Sequence, residues 1–289
     1  MDLQGSYVAL VTPFRDGAVD YAALDRLVDW HVEQGTNGLV PCGTTGESPT
    51  LDMEEHIRVV EAVVQRSAGR LPVMAGTGAN STAEAVHLTQ AAEKAGADGC
   101  LLVSPYYNKP EPEGMYRHFK AIAESAALPM TLYNVPSRTG REIALETVCR
   151  LAEIDNIVGL KAAGASNDRV SHVVRYTDLA VLSGDDSMTL PFMAVGARGV
   201  ISVAANIVPA EVAKMVKAFL GGDATSARET HLRLFPLFRT MFIESNPIPV
   251  KAAMAMMGMI APEMRLPMSE PTPDHRTAIE RTLRESGLL

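Results

Sequence analysis

An α/β chain folded as a (β/α)8 (TIM) barrel with a C-terminal helical appendage is the architecture this sequence predicts. Short apolar runs of strand character are each followed by an amphipathic stretch with helical spacing, and eight such units fit within about 220 of the 289 residues. The alternation implies parallel strands, and the doubly wound alternative lacks a GxGxxG after its first strand. From Gly221-Gly222-Asp223 onward the strand signals cease. The chain therefore divides into a barrel over residues 1–223 and a helical region over 224–289.

The first strand is read in Tyr7-Val8-Ala9-Leu10-Val11, ahead of a helix near Asp20–Gln34. Gly38-Leu39-Val40 leads to a helix after Asp52, where Asp52 and Glu55 have capping-box spacing. Leu71-Pro72-Val73-Met74-Ala75 leads to another, opened by the second such pair, Ser81 and Glu84. Gly99–Val103 precedes a helix over Glu113–Ala126, and Met130–Tyr133 precedes one over Ile143–Ala152. Ile157-Val158-Gly159-Leu160-Lys161 precedes Asp168–Tyr176, and Ala180-Val181-Leu182 precedes a short helix at Met188–Val195. Gly199–Val203 and Pro209–Leu220 complete the series. Thr225–Phe242, Val250–Met259 and Pro273–Arg284 read as the helices of the appendage, broken at Asn246-Pro247, Pro262 and Pro267. Met254, Met256, Met257 and Met259 read as packing residues.

Hydrophobic residues make up 47% and charged residues 21%, enough apolar surface to bury a large core. The net charge of −8 with no basic block argues against nucleic acid or an anionic membrane as partner. Cys42, Cys100 and Cys149 are odd in number, widely spaced and without a CxxC, so they read as free thiols. No signal peptide is apparent, and the apolar run Ala252 to Ala261 is about half the length a membrane span requires. A cytoplasmic location is expected. The seven histidines show no metal-ligand spacing, and no metal is expected.

Chemistry in a barrel of this type belongs at the C-terminal ends of the strands. Side chains alternate along a strand, so Ile157, Gly159 and Lys161 are expected on one face, with the glycine leaving room beside the lysine. A lysine closing an apolar strand either snorkels into water or is desolvated, with a lowered pKa that makes it a nucleophile towards carbonyls. Tyr133 ends the adjacent strand, where a phenol suits proton transfer around an imine. Gly43-Thr44-Thr45-Gly46-Glu47 can converge backbone N–H groups and hydroxyls on a carboxylate, and it lacks the Gly-Lys-Ser/Thr ending of a phosphate-binding loop. Arg138 carries the planar fork that suits a carboxylate, and Tyr106 and Tyr107 form an aromatic pair in a strand-end loop.

Together these residues resemble the dihydrodipicolinate synthase family, within the pyruvate-dependent class I aldolases. The likeness runs from Leu10-Val11-Thr12-Pro13-Phe14 through Gly43–Glu47, Ala75-Gly76-Thr77-Gly78, Tyr133–Gly140 and Gly159-Leu160-Lys161. It continues through Ser183-Gly184-Asp185-Asp186 and Gly199–Val203 to Asn246-Pro247-Ile248-Pro249-Val250-Lys251. The second threonine of Gly43–Glu47 and the arginine of Pro136-Ser137-Arg138-Thr139-Gly140 separate it from sialic-acid lyases and sugar-acid aldolases.

The resemblance implies condensation of pyruvate with aspartate-4-semialdehyde on the route to diaminopimelate and lysine, with no cofactor beyond the imine itself. Lys161 forms the imine, Tyr133 shuttles protons, and Thr45 links Tyr133 to Tyr107, which reaches a neighbouring subunit's site. Thr44 and Thr45 hold the pyruvate carboxylate and Arg138 that of the semialdehyde, while Ile201 and Val203 line the site. The implied assembly is a homotetramer of two tight dimers. Lysine is implied as an effector at Ser48, His56, Asn80, Glu84 and Tyr106, with Pro49 and Met53 departing from the sensitive members and weakening inhibition. Two other readings stand beside this one. One is a different pyruvate aldolase, such as an N-acetylneuraminate or 2-keto-3-deoxy-sugar-acid lyase, and the other is a catalytically silent barrel that binds ligands.

Overall fold

The computed structural model describes residues 2–289. Eight parallel strands make one sheet: β1 (Gly5–Ala9), β2 (Gly38–Val40), β3 (Met74–Gly76), β4 (Gly99–Val103), β5 (Met130–Asn134), β6 (Ile157–Ala162), β7 (Ala180–Ser183) and β8 (Gly199–Ser202). β1 pairs with both β2 and β8, and β3 to β8 pair in sequence order. A parallel bridge between Leu39 and Val73 joins β2 to β3, where the Leu39 N–H donates to the Pro72 carbonyl at 2.9 Å. The ring is thereby closed, as the eight-unit alternation predicts.

Eight helices cover the outside: α1 (Tyr21–Glu33), α2 (Met53–Ser67), α3 (Thr82–Ala95), α4 (Pro112–Ala123), α5 (Leu145–Leu151), α6 (Asn167–Tyr176), α7 (Thr189–Ala194) and α8 (Pro209–Leu220). Asp20 and Asp52 cap α1 and α2, accepting from the N–H of Ala23 at 2.9 Å and of Glu55 at 2.8 Å. Each such cap satisfies an otherwise orphaned donor and is worth about 1 kcal/mol. The box predicted at Asp52 is only half formed, because the Glu55 carboxylate turns away to Arg265 at 2.6 and 2.7 Å. Beyond the barrel lie α9 (Ala224–Thr240), α10 (Ile248–Met256) and α11 (Pro273–Glu285). Their Leu234, Phe238, Val250, Ile279 and Leu283 are buried in the same cluster as the barrel helices. No helix among the described residues is long and apolar enough to cross a membrane.

Two local elements were not anticipated. Phe14–Arg15 and Ala18–Val19 form a small antiparallel ribbon around Asp16-Gly17, both with positive φ, which is the Asp-Gly hairpin signature. A single helical turn, Pro136–Thr139, follows β5. The first strand also lies earlier than predicted, ending at Ala9, because the Val11 N–H leaves the ladder for the Asn206 side chain at 3.2 Å.

The lysine-bearing strand departs from simple alternation. Pairing between β5 and β6 shifts register: Met130 opposes Ile157, but Thr131 opposes Gly159. The extra residue is a bulge. Ile157 consequently joins Leu160 in the outer core, while Val158 packs against the inner one. Gly159 faces inward but leaves no void beside the lysine: a Cβ there would stand 2.6 Å from Leu3 Cδ1 and 3.1 Å from the Ala180 carbonyl oxygen. The expectation that Ile157 shares a face with Lys161 is corrected by that one inserted residue.

Inside the barrel a separate cluster, including Tyr7, Val40, Met74, Leu101, Leu182 and Ile201, fills the axis. The open end above it is where the strands' C-termini converge.

Candidate active site

Lys161 sits near the end of β6, in register with Tyr133 on β5 and Leu182 on β7, so the three stand at one level of the inner wall. It is 5% exposed, which removes the snorkelling alternative. Its Nζ lies 4.3 Å from the centroid of the Tyr133 ring. Burial pulls the amine down to about 8, against the opposing charges of Asp185 and Asp186 and with a smaller push from Arg138. An amine in this range is substantially neutral near pH 8 and is able to attack a carbonyl.

Tyr133 is also buried. Burial raises its phenol, while the neighbouring Thr44 hydroxyl and the Arg138 charge oppose the rise. The two threonines of the loop therefore differ in direction. Thr44 stands beside the phenol, whereas Thr45 is turned back into the protein, its Oγ1 accepting from Asn246 Nδ2 at 2.9 Å. Thr44, not the Thr45 expected from the resemblance, is the loop hydroxyl beside Tyr133, because a side chain from the C-terminal region occupies Thr45.

Arg138 lies on the turn after β5 at the mouth of the barrel, donating from Nη2 to the Asn246 carbonyl at 3.0 Å. Ile201 is on the inner wall and fully buried. Val203 does not join it: its side chain belongs to the outer core, and its N–H donates to Asp186 Oδ2 at 3.1 Å. Tyr107 is 91% exposed in the single chain, with a positive φ, and is not brought to Tyr133.

A cleft of about 420 Å³ opens beside this constellation. Thr44, Val103, Val135 and Arg138 line it together with Ser48, His56, Glu84 and Tyr106. A narrow pocket of about 30 Å³ shared by Thr44, Ser48, Val103 and Tyr133 adjoins it. The residues expected to take a substrate and those expected to take an effector thus border one volume. His56 is buried, not the exposed helix residue that its place on α2 allows, and its Nε2 donates to the Gly76 carbonyl at 2.7 Å. Burial holds its pKa down, so the ring is neutral with Nδ1 as the acceptor. Burial and the Glu84 charge raise the Tyr106 phenol. Asn80 does not line the cleft; its carbonyl accepts from Asn108 Nδ2 at 2.9 Å.

Three supports of the site were not singled out from sequence. Asp186 is a buried carboxylate raised by burial, held by the Ser202 hydroxyl and by the N–H groups of Val203 and Ala204 at 3.1 and 3.0 Å. It fixes the chain leaving β8. Glu47, the last residue of the Gly43–Glu47 loop, forms a buried ion pair with Lys251 of α10, whose Nζ also donates to the Thr12 carbonyl at 3.0 Å. Removing one partner of such a pair strands a buried charge, at a cost of about 3–5 kcal/mol. Asn246 is the third. All three lie in stretches that carry the resemblance, so a signal was present, but no local pattern names their partners.

The family model described as the dihydrodipicolinate synthetase family matches residues 2–286. The chain belongs to this family. A 4-hydroxy-tetrahydrodipicolinate synthase from Aquifex aeolicus is 52% identical over 288 residues, covering 99% of this chain and 98% of its own. The crystal structure of dihydrodipicolinate synthase from Aquifex aeolicus superposes with a TM-score of 0.98, covering 99% of each chain. A chloride-inhibited dihydrodipicolinate synthase from Acinetobacter baumannii, solved in complex with pyruvate, is 46% identical with a TM-score of 0.97 over 100% of both chains. The enzyme from Cyanidioschyzon merolae, solved with lysine bound, is 39% identical with a TM-score of 0.96 over 99% of each. Full-length identity near 50% to named synthases makes this chain an enzyme of that type.

Proposed function

We propose that Lys161 condenses with the ketone of pyruvate, losing water, and that the resulting enamine attacks the aldehyde of L-aspartate-4-semialdehyde. The semialdehyde's own amine then displaces the lysine nitrogen, closing the ring of 4-hydroxy-tetrahydrodipicolinate on the route to diaminopimelate and lysine. The protonated imine is the electron sink for proton loss from the pyruvate methyl. Tyr133, with Thr44 beside it, moves that proton. The loop bearing Thr45 takes the pyruvate carboxylate, and Arg138 takes the carboxylate of the semialdehyde. The observation that carries this reading is a buried lysine with its pKa lowered to about 8, 4.3 Å from the centroid of the Tyr133 ring. A coupled assay with pyruvate and aspartate semialdehyde tests it. Turnover of N-acetylneuraminate or a 2-keto-3-deoxy-sugar acid in place of the semialdehyde would assign the chain to a sister activity.

The lowered lysine predicts a pH profile. The neutral amine is the nucleophile, so its fraction rises as pH rises through about 8. Imine formation with pyruvate, trapped by borohydride, is expected to run at roughly a hundredth of its plateau rate at pH 6 and to level off above pH 9. A midpoint near 10 would mean that the amine is solvated.

Lysine is inferred to inhibit weakly through the Ser48, His56, Glu84 and Tyr106 lining of the same cleft. Glu84 pairs with its α-ammonium, the neutral His56 ring accepts from an ammonium through Nδ1, and Tyr106 donates to its carboxylate. Titrating activity with millimolar lysine should show partial inhibition that Glu84→Ala relieves about tenfold or more, the value of a charged hydrogen bond. Equal inhibition of both proteins would exclude this site.

The active assembly is inferred to be a homo-oligomer, a dimer of dimers, in which Tyr107 completes a neighbour's site. An aromatic side chain 91% exposed in the single chain supports a partner there. Sedimentation velocity at assay concentration should show no monomer. A fully active monomer would remove Tyr107 from the mechanism.

A further inference from the structure

Two adjacent carboxylates, Asp185 and Asp186, follow β7 beside the lysine-bearing strand. Lys161 is in register with Leu182 and Ala162 with Ser183. The Gly184 N–H then donates to the Ala162 carbonyl at 2.7 Å, so the two chain ends stay laced together past the lysine. Gly184 permits that approach, since a Cβ there would stand 2.7 Å from Ala163 Cβ. Asp185 Oδ2 accepts from the Gly164 N–H at 2.7 Å, which holds its carboxylate against the turn that leaves β6.

Asp186 is 1% exposed, and a buried anion ordinarily stands beside a cation. Here, among the described residues, every hydrogen bond to the two side-chain carboxylates comes from a neutral group. Gly164 N–H serves Asp185, while the Ser202 hydroxyl and the Val203 and Ala204 N–H groups serve Asp186. All four are donors, which suits the ionised form and works against the burial that raises Asp186. The cation they face is Lys161: both charges act on its amine, and Asp185 acts also on the Tyr133 phenol. Tyr133 is the titratable neighbour from β5, Arg138 acts from the following turn with the opposite sign, and β8 carries no titratable side chain.

We propose that Asp185 and Asp186 are the counter-charge of the protonated imine on Lys161. The inference rests on the imine chemistry proposed above. The neutral amine, the ketone of pyruvate and one proton give the iminium ion and water, so a cation appears where the reacting amine had no charge. Fixed carboxylates one strand away stabilise that cation without touching pyruvate, and they hold part of the free amine protonated before it reacts.

The test is borohydride trapping of pyruvate on Lys161, followed by mass across pH on the full-length protein. Asp185→Asn and Asp186→Asn each keep the shape and remove one charge, and either carries the test should the other fail to fold. In each, the midpoint of the trapping rate is expected to fall from about 8 to about 7, the effect of losing one nearby opposite charge. Pyruvate half-saturation should rise about tenfold near pH 9.5, where an uncharged amine becomes a cation. It should not change near pH 6, where one cation replaces another. Loosened packing would do the reverse, because water reaching the amine moves the midpoint up towards its ordinary 10.5. A midpoint that stays near 8 or rises in both variants would overturn the proposal and leave pyruvate's own carboxylate as the counter-charge. Absence of wild-type trapping on Lys161 would instead remove the imine reading on which it rests.

Discussion

Lys161→Met is expected to reduce kcat by about 10⁴-fold or more, because no other group in the site can form the imine that the remaining steps require. Borohydride reduction with pyruvate should add one pyruvate-derived mass to the wild-type peptide carrying Lys161 and none to the variant. Adduct on another lysine would move the chemistry elsewhere. The same variant should be more stable than wild type at pH 7. The native amine titrates near 8 and an unfolded lysine near 10.5, so the folded state releases its proton first as pH rises. The penalty for burying the cation is therefore fully present below pH 8 and disappears as pH rises to 10.5. It is on the order of 3 kcal/mol. Thermal unfolding of both proteins at pH 7 and pH 10 should show the advantage of the variant shrinking. Activity here is bought with stability.

Arg138→Ala is expected to reduce kcat/KM for the semialdehyde by about 10²- to 10³-fold while imine formation with pyruvate persists. A bidentate guanidinium–carboxylate contact is charge-assisted, and losing it leaves the second substrate without its matching charge. Trapping with pyruvate alone separates the two steps. Arg138→Lys should recover only part of the loss, since an ammonium lacks the planar fork. Equal semialdehyde use by wild type and Arg138→Ala would take Arg138 out of recognition. The position of the side chain at the mouth, tethered through the Asn246 carbonyl, is consistent with a group that meets the second substrate after the first is bound.

How much of this was legible before the structure differs from element to element. The barrel was, because strand and helix impose different periods on apolar residues, and eight alternations leave few arrangements that bury them all. Lys161 and Tyr133 were legible as neighbours because each ends an apolar strand and consecutive strands of such a barrel pair in register. The face of Ile157 was not, since a bulge is a property of two strands together and leaves no mark on either alone. Val203 was misplaced for a similar reason: Asp186, from the preceding strand end, draws its backbone outward.

The loop residues show the boundary most clearly. Thr44 and Thr45 are the same residue type in adjacent positions, and nothing local distinguishes them. Asn246 decides which one faces Tyr133, and it is brought there by a helical region that packs on the barrel from 201 residues away. Short-range sequence pattern encodes the period of an element and hence its buried face. The direction of a hydroxyl in a loop, and the pKa of a lysine, depend on which distant groups exclude water from them and which hydrogen bonds those groups supply.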